Sequence, residues 1–134
     1  IETYDFQNLK LGKDVMTEDG QTIYNEELTL APHPIKTYAF CSDTAYNEKI
    51  IPLIKSVDLL YHEATFLDAH ENLAKKTKHS TAKQAAKIAK LAEVKKLVVG
   101  HFSSRYNEKS NFMLEAKTIF EMVELASDGK TIKL

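Results

Sequence analysis

The chain has one cysteine, Cys41, and no tryptophan. A lone thiol cannot close an internal disulfide, which excludes the stapled folds of small secreted domains and points to a reducing cytoplasm. No apolar run approaches the roughly 20 residues that cross a bilayer, and no secretory signal is visible, so no membrane partner is expected. Neither sign of charge dominates. The 18 Lys and Arg against 19 Asp and Glu leave a net charge of −1, and no overall basic field marks a nucleic-acid binder. Breakers are few, with 4 Gly and 3 Pro, and no repeat or linker interrupts the 134 residues. With 43% apolar and 28% charged residues, that length suffices for a single packed domain over 1–134. The first residue is Ile1 rather than methionine, which leads us to expect a start further upstream.

What is present is a succession of short apolar runs and helical patterns. Residues 9–13, 22–24 and 28–30 read as strands around the turn signal Glu18-Asp19-Gly20, with His33 in a loop between Pro32 and Pro34. Residues 37–41 read as a buried strand. A helix capped by Asn47 is expected to run to Val57, with Pro52 in its first turn. A third strand covers 58–61, and 66–78 reads as part helix, part loop. Ser80 or Thr81 caps the clearest helix, where Ala82, Ala85, Ala86, Ala89 and Ala92 recur at helical spacing. Leu97-Val98-Val99 has no alternation, as in a strand covered on both faces. A helix from Asn111, a strand at 122–125, the turn Asp128-Gly129 and a hairpin partner at 131–134 complete the chain. Strands alternating with helices predict an α/β layer whose strand ends meet at one edge.

Each of three strands delivers polar residues at that edge. Asp43 can bridge cations or form an Asx turn. Of His62 and Glu63, alternation lets only one face a given cleft. Glu63 can charge a neighbouring imidazole or take a backbone donor. His79 precedes the Ala-rich helix, either as a proton donor near such an acid or as a capping-region residue. His101, after Gly100, can offer a ring nitrogen to a metal or end a strand, and Arg105 can fork onto phosphate or stay solvated. Lys75, Lys76, Lys78, Lys83, Lys87, Lys90, Lys95 and Lys96 can steer a polyanion or form a solvated face. His70 carries no signal, and Cys41 reads as packing.

Four stretches, in order, closely resemble ribonuclease Z, the tRNA 3′-processing endonuclease family of the metallo-β-lactamase superfamily. They are Phe40-Cys41-Ser42-Asp43-Thr44, His62-Glu63-Ala64-Thr65-Phe66, His79-Ser80-Thr81-Ala82 and Gly100-His101-Phe102-Ser103-Ser104-Arg105-Tyr106. The resemblance runs from Tyr38 to the C-terminus, and the His-Glu-Ala-Thr and His-Ser-Thr pair separates this family from its superfamily relatives. It implies that Asp43 bridges two zinc ions and His101 is a terminal ligand of one. Glu63 and His79 would protonate the leaving 3′-oxygen, and Arg105 would hold the scissile phosphate.

The sequence departs from the family in two ways. Ser42 stands where glycine is common, and the His-x-His-x-Asp-His motif, a further histidine and the tRNA-gripping arm are missing. The expected fold is therefore the C-terminal half of a metallo-β-lactamase αβ/βα sandwich, a mixed sheet with helices packed on one face and the N-terminal metal-binding half absent. The intact enzyme would be a cytoplasmic homodimer acting on precursor tRNA with two Zn2+ per site. This chain alone, with two ligands where zinc takes about four, would be inactive and metal-poor. Two other readings fit the residues: another metallo-β-lactamase phosphodiesterase, and a non-catalytic binding or assembly module.

Overall fold

The computed structural model describes residues 34–134 and, ahead of them, two short strands, β1 (Val15–Met16) and β2 (Thr22–Ile23). These two pair antiparallel, Val15 opposite Ile23. The expected strands at 9–13 and 28–30, the turn at 18–20 and His33 lie outside the described residues. The chain divides into two compact units, 1–35 and 36–134.

The second unit is an α/β layer. Its strands are β3 (Tyr38–Cys41), β4 (Leu59–Glu63), β5 (Leu97–Gly100) and β6 (Val123–Leu125). Its helices are α1 (Ile51–Ile54), α2 (Glu71–Thr77), α3 (Ala82–Leu91) and α4 (Ser110–Lys117). The sheet order is β3-β4-β5-β6 and every pairing is parallel. The register sets Cys41 beside His62 and Glu63 beside Gly100, so the carboxyl ends of three strands share one edge.

Local sequence explains the elements. Thr81 caps α3 with a complete capping box, its hydroxyl accepting from Gln84 N–H while the Gln84 side chain accepts from Thr81 N–H. The alanine stripe then lets α3 lie close on the sheet. Ala82, Ala85, Ala86, Ile88 and Ala89 are buried with Leu60, Leu97, Val99, Phe112 and Ala116 in one core. All four positions of β5 are buried, as its unalternating run implied. Asn47 does act as a cap, but of a 3-10 turn (Glu48–Ile50). The α-helix that follows ends at Ile54, short of Val57, with Pro52 in its first turn.

Two expectations need correction. Strand β3 is not covered on both faces: Tyr38 and Phe40 are 53% and 63% exposed. An apolar run identifies a strand, but coverage depends on what packs over it. The turn at Asp128-Gly129 forms, with Lys130 N–H donating to Ser127 O, yet residues 131–134 do not pair as a strand. Instead Ile132 and Leu134 border a cavity of about 300 Å3 on the open sheet face, with Tyr38, Leu59, Tyr61 and Val98. The four-stranded sheet of this unit is therefore parallel throughout.

Tyr61 lies on that open face, stacked on Phe40 at 4.6 Å between ring centroids. Its ring fills the space beside Gly100, where a Cβ would stand 2.5 Å from the phenolic oxygen. Glycine at the end of β5 is thus required by close approach.

Candidate active site at the carboxyl edge of the sheet

Glu63 ends β4 with its side chain fully buried. A buried carboxylate needs partners, and this one has five contacts. Its Oε1 accepts from Thr44 N–H at 2.8 Å and meets His79 Nδ1 at 2.7 Å. Its Oε2 accepts from the Thr65 hydroxyl at 2.6 Å, Ser80 N–H at 3.1 Å and Thr65 N–H at 3.3 Å. Burial alone pushes the carboxyl up. The hydrogen bonds from Thr65, His79, Ser80 and Thr44 outweigh it and hold the group below its ordinary value, so it is ionised at neutral pH.

His62 takes the other direction, as strand alternation requires. It is fully buried, its Nδ1 meets Glu63 O at 2.7 Å, and its Nε2 has no hydrogen-bond partner among the described residues. Burial lowers its pKa, the contact with Glu63 O opposing, and the ring is neutral.

Asp43 and His101 each follow a strand end, and both have left-handed backbones, φ 55° and 63°. For non-glycine residues that conformation is costly, and it clusters at functional positions. The Asp43 carboxylate is 79% exposed, with Oδ1 3.6 Å from His79 Nδ1. His101 Nδ1 meets the Thr65 hydroxyl at 2.9 Å. The Thr65 proton is directed to Glu63 at 2.6 Å, so the hydroxyl accepts from His101 Nδ1–H and the lone pair of His101 lies on Nε2. The His79 and His101 rings are 5.4 Å apart.

Arg105 reaches the same edge. Its guanidinium lies 5.7 Å from the centroid of the Phe66 ring, and that ring stands 6.2 Å from His79. Among the described residues the guanidinium makes no hydrogen bond, which leaves its fork available. The loop that carries it is fastened from outside. Ser103 N–H donates to Thr65 O at 2.9 Å, and Tyr106 accepts from Leu67 N–H at 3.0 Å while donating to His70 Nδ1 at 2.5 Å. His70, silent in the sequence, is thus an anchor of the arginine loop.

Glu63, His79 and His101 offer ligand atoms within 4.8 Å of one another, a grouping from which Asp43 is absent. We read this group differently. Both Glu63 oxygens are engaged by donors, so the carboxylate is occupied as a hydrogen-bond hub. The exposed Asp43 carboxylate could offer a metal an oxygen, and His101 Nε2, whose other nitrogen meets the Thr65 hydroxyl, an imidazole nitrogen. That set fits zinc in kind, oxygen and imidazole nitrogen, and is short of a full site.

All five residues singled out from the sequence therefore stand at one strand edge, with Glu63 and His79 in direct contact. Thr65 and the backbone N–H groups of Thr44 and Ser80 were not singled out. Thr65 had a signal, its place in the His-Glu-Ala-Thr stretch; the backbone donors had none.

Comparison with known proteins follows the same lines. The chain is 45% identical over 134 residues to ribonuclease Z of Bacteroides thetaiotaomicron, which is all of this chain and 42% of that protein. It is 48% identical over 132 residues to ribonuclease Z of Cytophaga hutchinsonii, covering 98% of this chain and again 42% of the relative. The chain thus spans less than half the length of these relatives, in their C-terminal part. Among solved structures, the metallo-β-lactamase fold protein YhfI from Bacillus subtilis superposes with a TM-score of 0.66 at 28% identity, over 71% of this chain and 39% of that one. Human tRNase Z, short form, gives 0.51 at 39% identity, over 69% of this chain and 30% of its own. No family model matches. Sequence and fold agree, and this chain belongs with the C-terminal part of ribonuclease Z, on the metallo-β-lactamase fold.

Proposed function

We propose that the full-length protein is a zinc-dependent endoribonuclease that removes the 3′ trailer from precursor tRNA, acting as a cytoplasmic homodimer. In this reading residues 1–134 are part of a single metallo-β-lactamase domain whose remaining metal ligands come from elsewhere in the protein. The observation that carries the proposal is the buried Glu63 carboxylate 2.7 Å from His79, beside Asp43, His101 and Arg105. Asp43 and His101 would hold zinc, which when bound supplies Lewis-acid polarisation of the phosphate and a more acidic water.

The chain's own residues supply the rest. Arg105 presents a planar fork to the phosphate oxygens and fixes the phosphodiester at the edge. Glu63 holds His79 through Nδ1–H, which leaves Nε2 to carry a proton toward the leaving group. That proton passes to the leaving 3′-oxygen as water bonds to phosphorus and the P–O3′ bond breaks, and His79 ends neutral. Thr65 and the Ser80 N–H keep Glu63 from rotating away.

The test is incubation of the full-length protein with a precursor tRNA. The reading expects a tRNA with a free 3′-hydroxyl and a trailer with a 5′-phosphate, lost on chelation and restored by zinc. Cleavage of simple phosphodiesters but not of the precursor would favour another phosphodiesterase of the same fold. Loss of neither growth nor processing on Asp43→Ala or His79→Ala would favour a binding module. The 134-residue chain alone is expected to cleave nothing and to retain no stoichiometric zinc on gel filtration.

A further inference from the structure

Beside His79 is a cavity of about 360 Å3, bordered by Tyr46, Glu71, Asn72, Lys75, His79 and Gln84. Three separate segments build it: the loop after β3, the exposed side of α2, and the entry to α3. That volume lies within the range of small-molecule sites. Its lining is mixed. Lys75 brings one ammonium and Glu71 one carboxylate, beside the His79 ring. Its other polar groups are carboxamides. Asn72 has no side-chain hydrogen bond among the described residues. Gln84 spends its oxygen on Thr81 N–H and keeps its NH2 group. Tyr46 adds an aromatic ring, with Lys87 Nζ 5.3 Å from its centroid. The phenol is neutral, because burial and then the hydrogen bond to Glu48 push its pKa up to about 12.

A neutral, planar group with donors and acceptors along its edge suits this lining, and a nucleobase is such a group. Single-stranded RNA is read by splaying bases into sites of aromatic and amide side chains. We propose that the cavity is a base-binding subsite, and that it takes the base of the nucleotide carrying the leaving 3′-oxygen. The assignment rests on the reading of His79 as proton donor to that oxygen. His79 borders the cavity and contacts Glu63, so the sugar whose oxygen it protonates is the one whose base lies nearest the opening. The neighbouring nucleotide, beyond the phosphate, lies on the side of Arg105.

The experiment is a cycle on the full-length protein. Precursors carry either a base or an abasic residue immediately 5′ to the cut, and each is cleaved by the unsubstituted protein and by Asn72→Ala. The subsite predicts that removing the base lowers kcat/KM about tenfold and that Asn72→Ala lowers it by a similar factor on the intact substrate. It also predicts that the two losses fail to multiply, the variant adding less than about twofold on the abasic substrate. Tyr46→Leu should behave in the same way. A variant that merely folds less well lowers both substrates by the same factor, so losses that multiply overturn the subsite. No effect of either substitution overturns it too. If the unsubstituted protein leaves every precursor uncut, the endonuclease reading falls and the subsite with it. If it cuts them and the losses multiply, only the subsite falls.

Discussion

Strand β4 lies between two carboxylates whose pKa values are both depressed, by opposite means. Asp58, one residue before the strand, is held down to about 2, first by the hydrogen bond from Lys95 and then by the Thr37 N–H. Its partner Lys95 is 72% exposed, at 2.8 Å, and Thr37 N–H donates at 2.8 Å. Glu63, the last residue of the strand, is fully buried and has no lysine or arginine beside it among the described residues. Asp58 is stabilised by a solvated cation that salt screens. Glu63 is stabilised by fixed hydroxyl, imidazole and amide donors from Thr44, Thr65, His79 and Ser80. Asp58 ties β3, β4 and the approach to β5 together at the amino edge. Glu63 holds a charge at the carboxyl edge, in contact with His79. A depressed pKa alone does not mark a site; the manner of depression does.

The sharpest way to test that contrast is Glu63→Gln. It places an amide NH2 group among the Glu63 donors and removes the carboxylate that meets His79 Nδ1. The full-length protein should lose at least about 100-fold in precursor cleavage. The chain should lose on the order of 3 kcal/mol in urea unfolding. A stability change within error would mean that the hydrogen-bond hub is not what holds this edge together. Thr65→Val is next. It keeps shape and removes one hydroxyl that serves both Glu63 and His101, for a loss of about 1.5–3 kcal/mol. It should also release the His101 tautomer, visible as a redistribution of its ring 15N shifts. Unchanged shifts would break the proposed orientation of His101.

Acid should act in two steps on β4, one set by the burial of His62 and one by the hydrogen bonds to Glu63. The folded pKa of His62 lies below the ordinary 6.5, so its contribution is intact above that value and is lost as pH falls below it toward the folded pKa. The folded pKa of Glu63 lies below 4.5, so its contribution is intact above 4.5 and is lost as pH falls through the folded value. The urea midpoint should therefore begin to drop below about pH 6.5 and steepen below about pH 4.5. A midpoint that is flat from pH 7 to 5 would sink the His62 part. Smallest of all should be Lys95→Ala, which removes a solvated partner. Its melting temperature should fall less than that of Thr65→Val, and the difference from the unsubstituted protein should vanish in 1 M salt by about the screening expected there.

Much of this architecture was legible in the residues. The Leu97-Val98-Val99 run announced β5, and the alanine spacing with Thr81 announced α3, because buried strands and small-residue helix faces leave direct patterns. The site residues were marked by their place after strands and by resemblance. What was hidden depended on the third dimension. The backbone donors of Thr44 and Ser80 have no side-chain signature. Tyr106 reaches His70 across 36 residues, through a contact that no local period encodes. Exposure on β3 depends on what covers the open sheet face, and residues 131–134 meet that face rather than the edge of β6.

The five contacts to Glu63 also say something about how the chain folds. Thr44 precedes the acid in sequence, whereas Thr65, His79 and Ser80 follow it, the last two beyond α2. Until the turn into α3 is in place, Glu63 has only part of its donor set, and a carboxylate short of donors resists leaving water. Core closure beneath α3 and completion of the Glu63–His79 contact are therefore coupled. The packed chain without an assembled Glu63–His79 pair should be a rare species on the folding path.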